Sequence, residues 1–161
     1  MNRIRSFVSA FALCAIGLTA NSMAVAAGGN PDRQPSPTPP DIVVDVCTPS
    51  VGPVLAHITV NREYVKTFTE ADGTIILAIN GAAFGTFTRL SNGTVVSVNA
   101  SGPATITMHP DGAVTLVERG LLVAINSTGI WQYAGDSVVD PATGLVLSHS
   151  GRVTDICQLL H

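Results

Sequence analysis

From Thr86 to Asn126 the chain reads TFTRLSNGTVVSVNASGPATITMHPDGAVTLVERGLLVAIN, short alternating runs divided by turn dipeptides. Val96 and Val98 share one strand face, and Ser97 and Asn99 share the other. Ile106 and Met108 are set in the same way against Thr105, Thr107 and His109. A period of two with one apolar side describes a half-buried antiparallel sheet, and no helical reading fits as well. Asn92-Gly93, Gly102-Pro103, Asp111-Gly112 and Arg119-Gly120 recur about every nine residues, which is hairpin spacing. The segment is predicted to be a β-meander.

The same alternation predicts strands over 42–47, 54–60, 63–69, 74–79, 83–89, 94–100, 104–109, 113–118, 121–126, 145–149 and 152–159. Asp72-Gly73 and Asn80-Gly81 add further turns at which glycine carries no Cβ penalty. Residues 128–144 are rich in Gly, Asp and Pro and read as a longer loop around Trp131 and Tyr133. A short helical turn is expected over 157–160. The fold class is all-β.

The ends of the chain differ from this body. Arg3 and Arg5 precede an apolar run from Phe7 to Leu18, and Ala24-Val25-Ala26-Ala27 offers small residues for cleavage. Residues 1–27 therefore read as a signal peptide and predict a secreted or envelope protein. The run is short of the ~20 residues a membrane span needs, so no transmembrane span is expected after its removal. Cys14 sits inside it, after Leu13 where a lipobox wants a small residue, which argues against lipidation. Residues 28–41 hold five prolines and no apolar run, and read as an extended, solvated linker. Residues 42–161 then form one domain, long enough for one core.

Without Arg3 and Arg5, six basic residues face eleven acidic ones, a net charge near −5. The charges are sparse and form no basic patch, so nucleic acid is not an expected partner. Two cysteines remain, Cys47 and Cys157, and an exported chain with one such pair predicts one disulfide. Disulfide Cα atoms lie within about 7 Å, so the first and last predicted strands must meet. A meander whose ends meet is a closed barrel or a sandwich, and the even turn spacing favours the barrel.

Candidate chemistry is thin. Gly135-Asp136-Ser137-Val138 matches the nucleophile block of GDSL-type hydrolases in its letters, but neither His149 nor His161 follows an aspartate by three residues. The block reads better as a loop turn. His57 and His109 alternate opposite apolar neighbours and point outward, whereas His149 shares parity with Leu145 and Leu147 and reaches the core side or rim. Asp72 and Asp111 belong to turns and Glu118 to a strand end, so no carboxylate pair has acid–base spacing. Trp131 and Tyr133, two apart, share a face if their segment is extended. Trp131, Tyr133 and His149 are the candidate ligand-binding residues. Asn92, Asn99 and Asn126 each begin an Asn-x-Ser/Thr triplet that hairpin chemistry explains equally well. No metal site and no cofactor are expected.

Ser101-Gly102-Pro103, His109-Pro110-Asp111-Gly112 and the terminal run Gly151 to Cys157 resemble exported β-rich proteins common in actinobacteria. The resemblance covers most of 41–161 and implies compartment and fold, with no activity to carry over. The expectation is a secreted, non-catalytic β-domain that binds an envelope protein or holds a small apolar ligand inside a barrel. The alternatives are a barrel-type hydrolase or isomerase using His149 or His57 with a carboxylate, and a structural or protein-interaction domain.

Overall fold

A computed structural model describes residues 33–161. The expected signal peptide lies outside the described residues. The described residues are all-β apart from one helical turn, with strands β1 (Arg33–Pro35), β2 (Ile42–Val44), β3 (Val54–Asn61), β4 (Tyr64–Thr69), β5 (Ile75–Asn80) and β6 (Ala83–Arg89). There follow β7 (Val95–Asn99), β8 (Ala104–Met108), β9 (Val114–Asn126), β10 (Gly129–Val139), β11 (Val146–His149) and β12 (Arg152–Asp155). A single turn of helix, α1 (Ile156–Leu159), ends the described elements. The eight-stranded sheet runs β1-β4-β5-β8-β9-β10-β11, with β12 beside the first half of β10, and the four-stranded sheet runs β2-β3-β6-β7. All pairs are antiparallel.

Neither sheet closes on itself. The larger ends in β1 on one side and β11 and β12 on the other, so the arrangement is sandwich-like and the expected barrel closure is not observed. The disulfide is present: Cys47 and Cys157 lie 5.5 Å apart at Cα. Cys47 stands just past β2 and Cys157 in α1, so the bridge ties the stretch after β2 to the helical turn after β12 and does not join strand to strand. Arg89 reinforces this corner by donating to the carbonyls of Val51 at 3.1 Å, Ser50 at 2.6 Å and Leu160 at 3.2 Å.

Two differences from the sequence reading decide the architecture. Residues 128–144 are not a loop, because most of them form the 11-residue strand β10. Arg119-Gly120 is not a turn, because β9 runs 13 residues straight through it. The turn between β9 and β10 is Asn126-Ser127-Thr128-Gly129, where the Asn126 carboxamide oxygen accepts from the Thr128 amide at 2.9 Å. Asp72, Asn92, Asp111 and Asp140 close four other turns in the same way, each accepting from the amide two residues on at 2.9 Å. These amides, with the Thr143 hydroxyl leading at Asp140, hold the Asp72 and Asp140 carboxyls below the usual carboxylate range.

There are two cores, and β9 separates them. Val123, Ile125 and Ile130 pack with Val54, Ala56, Phe87 and Val98 of the smaller sheet. Leu122, on the opposite face of β9, packs with Leu77, Ile79, Ile106, Leu116 and Val139. Every residue of the second cluster belongs to the larger sheet, so that sheet must curl over its own inner face. From Leu122 to Asn126 β9 is buried on both sides, which is why its five residues lose the alternation that predicts a half-buried strand.

The registers align five glycines, Gly81, Gly102, Gly120, Gly135 and Gly151, in one row across the larger sheet. The chain passes this row six times: β3 to β4, β5 to β6, β7 to β8, along β9, along β10, and β11 to β12. Glu63 takes the sixth place, opposite Gly81. A Cβ on Gly120 would lie 2.7 Å from the Ser101 carbonyl oxygen, and Cβ atoms on Gly102 and Gly151 would meet the Arg119 and Ala134 carbonyls. The row is a crease. Here the backbones approach more closely than side chains permit, and the strands change direction from one layer to the next.

Residues 33–41 are extended and mostly exposed, in keeping with their prolines. They are nonetheless docked, with Arg33–Pro35 pairing along β4 and the Arg33 guanidinium 4.1 Å from the centre of the Tyr64 ring.

Candidate functional site

The inner face of the larger sheet carries one row of polar side chains just below the crease. Ala104 pairs with Glu118, Glu118 with Ser137, and Ser137 with His149. Glu118 is 4% exposed and Ser137 1%. The Glu118 Oε2 and Ser137 Oγ atoms are fully enclosed and have no hydrogen-bond partner among the described residues. A buried polar group without a partner costs about 1–3 kcal/mol, so two side by side call for a physical reason. Burial, and secondarily the negative charge of Glu63, push the Glu118 carboxyl up to about 8. Burial also raises Glu63. Glu118 is therefore a neutral acid at neutral pH, which removes most of the cost of enclosing it.

Tyr133 and His149 lean together over Gly135, with ring centroids 5.3 Å apart. Tyr133 is half-buried and His149 exposed, and partial burial raises the Tyr133 phenol. Trp131 shares the Tyr133 face, as expected for residues two apart, but belongs to the hairpin end, where its indole donates to the Thr128 hydroxyl at 3.1 Å. The structure thus brings Tyr133 and His149 together and leaves Trp131 apart from them. Leu145 and Leu147 are exposed and Val146 packs inward, so the parity assigned to β11 is overturned by the register shift at Val138 and Val139. The Gly135-Asp136-Ser137-Val138 block lies within β10 and is not a turn, and its serine is sealed from solvent.

His57 points outward as expected and meets Asp41, whose carboxylate oxygen is 2.6 Å from Nδ1. Both side chains are about half exposed, at 47% and 54%. The pair fixes the end of the proline-rich segment to β3. Its surroundings on the open sheet face exclude no water.

A groove of about 270 Å³ lies on the opposite, outer face of the larger sheet, lined by Pro103, Thr105, Val117 and Arg119. Thr105 and Val117 are cross-strand neighbours, and the Arg119 amide donates to the Pro103 carbonyl at 2.9 Å. These four residues are the outward-pointing positions on either side of Ala104 and Glu118. Arg119 is exposed, and its guanidinium makes no hydrogen bond or ion pair among the described residues.

Comparison with family models, with curated proteins and with solved structures finds no match. Among the described residues no group of three or more His, Cys, Asp or Glu is placed to hold a metal ion, and no helix is long and apolar enough to cross a membrane.

Glu118, Ser137 and Arg119 are absent from the residues that the sequence singles out as ligand-binding. A signal for Glu118 is present, since it shares parity with the buried Leu116. Reading Arg119-Gly120 as a turn placed it at a strand end and hid that signal.

Proposed function

We propose that this chain is a secreted, non-catalytic binding module, and that its ligand sits in the groove over Val117. The single observation that carries this reading is the groove itself: an apolar floor of Val117 and Pro103 beside an unpaired guanidinium. That combination suits a small molecule with a short apolar body and one anionic group, which Arg119 receives by a charge-assisted, two-pronged hydrogen bond. The small-ligand reading thereby moves from the interior to the outer surface, because both interiors are occupied by packed Val, Ile, Leu and Phe side chains. Support for export comes from the disulfide, which persists in oxidising compartments. The His57–Asp41 pair is read as a surface clasp, since catalysis by it needs a nucleophile and a water-excluding pocket beside it.

Titration of the ¹⁵N-labelled protein with straight-chain carboxylates of increasing length tests the assignment. Amide shifts should move first at Thr105, Val117 and Arg119, and alcohols of the same length should leave them in place. Charge-assisted hydrogen bonds contribute about 1.5–3 kcal/mol, so Arg119→Gln should weaken binding by roughly ten- to a hundred-fold without unfolding the domain. Shifts elsewhere, or equal binding by the variant, would refute the assignment. Native mass spectrometry of protein recovered from culture medium checks export, cleavage and any retained ligand in one measurement.

A further inference from the structure

The buried acid and the crease adjoin each other, and together they suggest a control element independent of any ligand. Glu118 stands two residues before Gly120, and Ser137 two residues after Gly135, the glycine paired with Gly120. On their inner face the ionisable neighbours are Glu63 from the β3–β4 corner, Tyr133 from β10 and His149 from β11. The basic side chains of Lys66 and Arg119 belong to the alternate positions of their strands and project from the other face. Neither of these two therefore neutralises Glu118 if it ionises, and the Glu63 carboxyl repels it.

We propose that the crease is a proton-locked joint: the six chain passes hold their bend while Glu118 is protonated, and loss of that proton loosens the strands where they cross the glycine row. The backbone at that line is poorly placed to resist. Glycines supply no side chains to pack across it, and its bonds include Arg119 N–H to Pro103, Leu121 N–H to Ser101 and Ser150 N–H to Asp136. Charge placed between β8 and β10 draws water toward the enclosed Oε2 and Oγ atoms, and water entering there competes for those bonds.

The folded form holds its proton up to about pH 8, whereas an ordinary glutamate releases it near 4.5. Stability contributed by the protonated form is full below about 4.5, declines as pH rises and is gone above about 8, where the curve flattens.

Hydrogen exchange of the full chain, corrected for intrinsic rates and followed from pH 6 to 9, reads the joint directly. Protection of the Arg119, Leu121 and Ser150 amides should fall by about ten-fold or more, while that of Thr74 and Ala113 at the hairpin tips follows no such profile. Glu118→Gln should hold the crease amides flat across the range, with Glu118→Met as the substitute if the amide variant folds poorly. Glu63→Gln should retain the fall but move its midpoint to lower pH, because a like charge has been removed. A flat wild-type profile, or a fall that survives in both Glu118 variants, would overturn the proposal. The measurement uses no ligand, so it stands or fails separately from the groove.

Discussion

Replacing Cys47 and Cys157 together by serine should destabilise the domain by roughly 4–5 kcal/mol, close to the whole margin of many domains of this size. The bridge closes a span of 110 residues, nearly the entire described chain, and loop-closure entropy grows with the logarithm of that length. What it fastens explains why little else substitutes. The β2 strand has three residues and α1 a single turn, too short to dock by themselves. Ile156, Cys157 and Leu160 nevertheless bury themselves in the core shared with Val51 and Val54. Thermal unfolding with and without reductant should separate by about 15–20 °C, and Arg89→Ala should reproduce a fraction of that loss through the same corner. A separation of only a few degrees would mean that the packing of α1 holds the corner without the bridge.

The second large effect is expected at the crease. Gly120→Ala should cost about 3–5 kcal/mol, combining a backbone conformation disfavoured for alanine with a collision that neither neighbour can relieve. Gly120 has φ +127°, and the atom 2.7 Å from its would-be Cβ is the backbone oxygen of Ser101, in the connection between β7 and β8, where the Leu121 amide donates to it. Gly112→Ala provides the control. Its φ is +87°, but nothing lies within 4 Å of a Cβ there, so it should lose only about 1 kcal/mol. Denaturant midpoints of the two variants, measured side by side, isolate the close approach from the turn geometry. Equal losses would show that φ alone sets the requirement and that the strands have room to part.

What the sequence reveals follows from where burial is one-sided. β6, β7 and β8 each alternate one buried face with one wet face, and their positions emerge within a residue of those observed. β9 and β10 differ: the strands predicted over 113–118 and 121–126 both map onto β9 and only the break at Arg119-Gly120 is wrong, whereas β10 is missed altogether. Beyond Gly120 both faces of β9 are covered, which erases the period of two. In β10 the composition of Gly, Asp and Ser imitates a loop, although Gly135 is there for the crease and Ser137 is sealed inside. A glycine beside a charged residue signals a hairpin in local reading, and only the neighbouring strands reveal Arg119-Gly120 as a point of close approach. The same misreading concealed the candidate site, because Glu118 and Arg119 lie on opposite faces of the strand that it cut in two. The disulfide was legible because only two of the three cysteines lie outside the predicted signal peptide, and two allow a single pairing. Barrel closure did not follow from it, since the cysteines follow β2 and β12 outside the strands and leave both edges of the larger sheet open.

The double-sided burial of β9 also governs how the molecule comes apart. One ribbon supplies the partition between both apolar compartments, so neither compartment can be emptied while the other stays intact. Despite its two-chamber plan, the protein should therefore melt as one cooperative body, with no half-molten species between the native form and the open chain.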